Sequence, residues 1–80
     1  MDKEIEIKKK LIMEIISSII EKDLEDFSKT SKDYLPEWDS LNHAQIIFSI
    51  EDQFDIELTQ QQMIDICSAN DILEIISNEK

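Results

Sequence analysis

Isoleucine fills sixteen of the eighty positions, and where those isoleucines fall decides the fold class. Isoleucine favours strands by intrinsic preference, so periodicity has to arbitrate. In the first segment Ile12, Ile15, Ile16, Ile19 and Ile20 recur at the spacing of one buried helical stripe, while Glu14, Ser17, Ser18 and Glu21 fill the opposite face. A helix is predicted from about residue 3 to 21, with Asp2 as its N-cap. A mostly polar segment from Lys22 to Trp38 follows, carrying Leu24, Phe27, Tyr34 and Leu35 as apolar anchors. Loops this long are unusual in small domains, and the spaced apolar residues predict one pinned onto the core.

Asp39 then caps a second helix, predicted from Ser40 to about Phe54, with Leu41, Ala44, Ile47, Phe48, Ile50 and Phe54 as its buried face. Thr59 followed by Gln62 is a capping box ahead of Met63, Ile64 and Ile66, predicting a short third helix over about residues 60–66. Ser68 followed by Asp71 repeats the logic before Ile72, Leu73, Ile75 and Ile76, predicting a fourth helix over about residues 69–78. The fold class is therefore all-α. The expected architecture is one domain spanning residues 1–80: three principal helices, one short helix, and a long loop between the first two.

Composition narrows the function. The chain has no glycine, which excludes the phosphate-binding P-loop, the dinucleotide fingerprint and the EF-hand loop, each of which needs one for a tight turn or a close backbone approach. One cysteine and one histidine cannot build a Cys/His zinc site or an internal disulfide, which suits a reducing cytoplasm. The charged N-terminus Met1-Asp2-Lys3-Glu4 predicts no signal peptide, and no apolar run approaches the roughly 20 residues that span a bilayer. A cytoplasmic protein with no membrane insertion is expected, and we expect it to be a monomer.

The net charge is −11, the wrong sign for nucleic acid. It is also uneven: residues 1–33 hold seven lysines and nine acids, a net of −2, whereas residues 34–80 hold one lysine and ten acids, a net of −9. The expected partner is a basic protein surface whose docking weakens as salt rises. Between a loose Ca²⁺ or Mg²⁺ site and a solvated face, the acids are read as a solvated face, and no metal site is assigned.

The most informative spot is Asp39-Ser40-Leu41. A serine in the first turn of a helix, after a long loop, lies beside unpaired backbone N–H groups and the positive end of the helix dipole, which favours phosphate. Taken alone the tripeptide is plain capping chemistry. Its surroundings add to it: Glu37-Trp38-Asp39-Ser40-Leu41 opens the second of four helices. The Glu51-Asp52-Gln53-Phe54 string closes that helix, and Asp55-Ile56-Glu57-Leu58 leads to the short third one.

In combination these segments make the chain resemble the acyl carrier proteins, over essentially its whole length and most sharply over residues 36–76. The resemblance implies a four-helix acyl-carrier-like bundle in which Ser40 is the attachment point for 4′-phosphopantetheine. A separate phosphopantetheinyl transferase would supply that arm from coenzyme A. The arm's thiol would carry an acyl group as a thioester and present it to acyl-loading and acyl-processing enzymes with basic docking surfaces. Asp39 would cap the helix near the phosphodiester, and Leu41 would turn inward or line the arm's docking surface. The chain would not itself be an enzyme. Trp38, Asn42, His43, Gln45, Glu51 and Asp52 would meet partners.

Some positions depart from the family pattern. Fatty-acid carriers usually have glycine where this chain has Glu37, a smaller residue where it has Trp38, and acids where it has Asn42 and Gln45. The Trp-Asp-Ser-Leu-Asn-His string looks more like carriers of specialised pathways. Two other readings stand beside this one: an aminoacyl or peptidyl carrier, and an acidic protein-interaction module in which Asp39-Ser40-Leu41 is only a cap.

His43 lies three residues after Ser40, on a similar helix face. A Ser–His hydrolytic pair lacks a third partner and an oxyanion loop, so His43 is read as partner-facing. Cys67 is expected to pack as a small buried hydrophobe. Trp38 is expected either to shield the loop–helix corner or to meet a partner. Lys8, Lys9 and Lys10 are read as an exposed face of the first helix.

Overall fold

The computed structural model describes residues 3–78, and over them the protein is helical. Helix α1 spans Lys3–Ile20, α2 Ser40–Phe54, α3 Gln60–Asp65 and α4 Ala69–Asn78. A 3₁₀ turn at Phe27–Lys29 interrupts the long loop. The expected cap Asp2 lies outside the described residues. Among those residues no helix is long and apolar enough to cross a membrane.

Helix α1 packs against both α2 and α4. The isoleucine stripe behaves as its spacing predicts. Ile12 and Ile16 of α1, Ile46 and Ile50 of α2, Ile66 after α3 and Ile72 of α4 are each at most 1% exposed and share one core cluster. The caps follow the sequence too. Asp39 accepts the Asn42 N–H, and Thr59 and Gln62 form the full capping box of α3. At α4 the Ser68 hydroxyl accepts the Asp71 N–H, while the Asp71 carboxylate reaches back to the Cys67 N–H at 2.9 Å.

The phase of α2 differs from the prediction. Its buried residues are Ile46, Ile47 and Ile50, whereas Leu41 is 71% and Phe48 65% exposed, and Ala44 is also exposed. At 3.6 residues per turn the true stripe runs through His43, Ile46, Ile47, Ile50 and Phe54, about a quarter turn from the expected one. A histidine at the head of the stripe hides its register from a count of apolar residues.

The long loop is fastened to the body. Leu35 and Trp38 are buried, with Leu24 and Phe27 packed against the core. Tyr34, expected as an anchor, is 60% exposed. The Tyr34 and Leu35 N–H groups both bond the Ser31 carbonyl, and in that turn Leu35 goes inward while its neighbour goes outward. Two further backbone bonds latch the loop to the α3–α4 junction: Lys32 N–H to Cys67 C=O at 2.9 Å and Ala69 N–H to Thr30 C=O at 2.8 Å, around the Ser31–Ser68 bridge. Thr30 itself is 1% exposed, and its hydroxyl donates to the Asp26 carbonyl. Asp26 starts the 3₁₀ turn, and hydrogen bonds from the Ser28 hydroxyl and then the Ser28 N–H hold its carboxyl below the usual carboxylate range.

Helix ends that usually close on glycine close here on acids. Glu21, just past α1, has φ 57° and Asp55, just past α2, has φ 55°. In both cases the next N–H bonds back five residues, Lys22 to Ser17 and Ile56 to Glu51, the Schellman closure. A side chain in the left-handed region costs roughly 1–2 kcal/mol, less for aspartate.

Two predictions follow from this geometry. Glu21→Gly should stabilise the domain by about 1 kcal/mol and raise its thermal midpoint, with Asp55→Gly doing so by less. For the phase of α2, urea denaturation should show Ile50→Ala costing about 2–5 kcal/mol. Phe48→Ala, although it removes the larger side chain, should stay within about 0.5 kcal/mol.

Candidate functional site

Ser40 is the first residue of α2 and is exposed. The chain reaches it through a tight corner: Trp38 N–H bonds Leu35 C=O at 3.0 Å and Asp39 N–H bonds Glu37 C=O at 2.9 Å. Asp39 is extended, and its carboxylate takes the Asn42 N–H at 2.9 Å while its carbonyl takes the His43 N–H at 2.7 Å. The Asn42 side chain reaches back and donates to the Glu37 carbonyl at 2.8 Å, bracing the corner from within the helix.

Glu37, where the resemblance expects glycine, is half-buried. One carboxylate oxygen lies 3.6 Å from Lys22 Nζ, and the other is buried with no hydrogen-bond partner among the described residues. The ion pair is partly exposed and contributes little.

Beside Ser40 lies a shallow depression of about 320 Å³, lined by Lys32, Ser40, His43, Met63 and Ile64. Ile64 is 64% exposed. Leu41 and Phe48, seven residues apart and so on one face of α2, are both exposed. Beyond Phe48 a wider depression of about 570 Å³ is rimmed by Glu51, Asp52, Asp55 and Glu57. Hydroxyl, apolar strip and acidic basin thus follow one another along α2.

The expected site residues separate into two groups. Asp39, Ser40 and Leu41 stand together at the head of α2, with Leu41 pointing outward, and Gln45 and Asp52 are exposed. The others are engaged inside the protein. Trp38 is 4% exposed and belongs to the core cluster, so it fills the loop–helix corner and leaves little indole for a partner. Its indole N–H donates to His43 Nδ1 at 2.9 Å, and His43 Nε2 lies 2.8 Å from the Met63 carbonyl. With both ring nitrogens occupied, His43 is not free to act as a base toward Ser40. Asn42 braces Glu37, as above. Glu51 accepts the Leu58 N–H at 2.9 Å, tying the end of α2 to the segment before α3.

Two other expectations change. The Cys67 side chain is exposed rather than buried, while its N–H donates to Asp71 and its carbonyl accepts from Lys32. Lys9 is half-buried, its ammonium 5.3 Å from the Phe27 ring centre, so only Lys10 of the three lysines stands fully exposed.

Phe48, Met63 and Ile64 are the surface residues that pattern reading missed. The signal for Phe48 was the α2 stripe read from His43 onward, which turns it to solvent; α3, six residues long, is too short for a period to mark Met63 and Ile64. A scan against protein-family models finds none that matches the chain, and a search of curated proteins finds no match either.

The role of Glu51 is separable from its charge. Glu51→Ala should cost about 1 kcal/mol, the worth of a partly exposed charge-assisted hydrogen bond, as read by urea denaturation. Asp52→Ala makes the same change in charge and should stay within about 0.5 kcal/mol. Equal losses would show that charge and not the Leu58 contact matters.

Proposed function

We propose that the protein is an acyl carrier protein, loaded with 4′-phosphopantetheine on Ser40. One observation carries the reading: an exposed serine opens α2 behind an Asp39 cap, in an Asp-Ser-Leu triplet, where a pinned loop meets a four-helix body. A transferred group on this hydroxyl projects into solvent beside the Met63–Ile64 wall, with unpaired first-turn N–H groups near its phosphate. The group supplies a thiol on which an acyl chain is held as a thioester. Formation of the phosphodiester joins Ser40 Oγ to the phosphopantetheine phosphorus and releases adenosine 3′,5′-bisphosphate from coenzyme A. The general base for that step belongs to the transferase, because both nitrogens of His43 are already engaged.

The acidic basin beyond Phe48 suits basic partner enzymes, and the outward Leu41 and Phe48 give them an apolar contact. Asn42 is turned inward and Gln45 is neutral, so the first two turns after Ser40 present no acid. That supports partners other than those of a housekeeping fatty-acid carrier, in a specialised cytoplasmic pathway.

The test is intact-mass analysis after incubation with coenzyme A and a broad-specificity phosphopantetheinyl transferase. The wild type should gain one phosphopantetheine and Ser40→Ala none. Failure of the wild type to gain mass across several transferases overturns the reading and leaves Asp39-Ser40-Leu41 as a cap alone.

A further inference from the structure

His43 is held by both ring nitrogens, and the two ties reach different parts of the fold. The Trp38 indole nitrogen can only donate, so Nδ1, 2.9 Å away, must be the acceptor. The ring proton then sits on Nε2 and is donated to the Met63 carbonyl at 2.8 Å. One tautomer alone, neutral and protonated on Nε2, makes both bonds.

The Met63 carbonyl needs that donor. It lies near the end of a six-residue helix, where carbonyls run out of intrahelical partners. The N–H four residues on, that of Cys67, is committed to Asp71. His43 therefore fastens α3, which has no fully buried residue of its own, and at the same time fastens the corner that delivers Ser40.

The two ties respond differently to a proton. An imidazolium still donates from Nε2, so the Met63 bond survives. At Nδ1 the lone pair is gone, and two N–H groups face each other across the former hydrogen bond to Trp38. Trp38 precedes Ser40 by two residues, and its backbone is part of the Leu35–Asp39 corner. We propose that His43 is a proton-operated latch on that corner: closed while its imidazole is neutral, and opened on the Trp38 side, but not the α3 side, when Nδ1 is protonated.

The charged groups around the ring are few. Lys32, from the loop, lines the same depression, and Asp39 precedes it by one helical turn with its carboxylate on the Asn42 N–H. Glu37 approaches through its carbonyl, and its carboxylate pairs with Lys22. From α3 only Met63 and Ile64 face the depression, while the acid of that helix, Asp65, accepts from Gln61. A latch of this kind links the order of the corner that carries Ser40, not its exposure, to local acidity, and the bearing of that on loading alone rests on the carrier reading.

Trp38 is the only tryptophan, so the latch carries its own reporter. The protein is titrated from pH 8 to 5 while the indole N–H resonance, Trp38 emission and amide protection factors are followed. The indole signals should move in one step. Protection at Trp38 and Asp39 should fall about tenfold, the worth of one lost hydrogen bond, while protection at Ile66 holds. In His43→Gln, which cannot take up the proton, protection at Trp38 and Asp39 should not vary with pH. Trp38→Phe, which removes the donor, should likewise abolish the pH dependence at Asp39 and serves if His43→Gln does not fold. A constant indole signal, or a loss of protection in α3 instead of the corner, overturns the latch. A protein that accepts phosphopantetheine but shows no such step keeps the carrier reading and loses the latch; one that shows the step but accepts no arm does the reverse.

Discussion

The rotation of α2 about its own axis decides what this protein can present. Ile46, Ile47 and Ile50 are buried, in one cluster with Ile12 and Ile16 of α1. Fully burying a Leu or Phe side chain is worth about 1.5–3 kcal/mol, and this rotation forgoes that for both Leu41 and Phe48. Ile47 and Ile50 are served by either phase; what this rotation adds is Ile46, at 0% exposure, and the two hydrogen bonds of the inward His43. Ser40, in the first turn of α2, lies at the edge of the buried stripe and is exposed. The same packing that makes the core stable thus leaves an apolar strip beside a free hydroxyl. Isolated exposed hydrophobes need no explanation, but Ile64 shares a depression with Ser40, and Leu41 and Phe48 are exposed on the same helix.

The absence of glycine shapes the rest. With no residue free to take positive φ without cost, Glu21 and Asp55 adopt it to end α1 and α2. The long connection between those helices is likewise ordered by bonding and burial. The two backbone bonds around Ser31 and Ser68 fix its middle, and Leu35 and Trp38 fix its end. Ser40 is therefore presented from a braced corner on both sides, with Asn42 and His43 reaching back from the helix.

Element boundaries were legible in the sequence because caps and periods are local. The Asp39 cap, the Thr59–Gln62 box and the α1 stripe each depend on residues within two turns of one another. The misreadings all involve information that is not local. The α2 phase was lost because His43 counts as polar in any pattern, and only the Trp38 and Met63 partners make it an inward residue. Trp38 and His43 stand five apart across a loop–helix junction, a separation no helical or strand period marks. Cys67 reads as a small hydrophobe, and its carbonyl's place in the latch to Lys32 of the long loop is not written in its neighbours. At the site, Ser40 and its cap were legible, whereas the internal tie of one acid and not its neighbour was not: Glu51 and Asp52 look alike in sequence, and only Glu51 is bound to Leu58.

These acids bear on how a basic partner would be received under the carrier reading. Glu51 keeps its charge while tied to Leu58, so Glu51, Asp52, Asp55 and Glu57 all act at a distance, each two or more turns beyond Ser40. At physiological salt their field reaches about 8 Å, which is enough to draw in a cationic surface but not to fix its register at the serine. Register falls to Leu41 and Phe48, which gain energy only on close contact and lie between the acids and Ser40. Charge at one end and apolar contact at the other divide encounter from discrimination. Partners could then share the acidic basin while differing in how they cover the strip, and neutral Gln45, between Leu41 and Phe48 in sequence, leaves that strip open to surfaces an acid there would exclude.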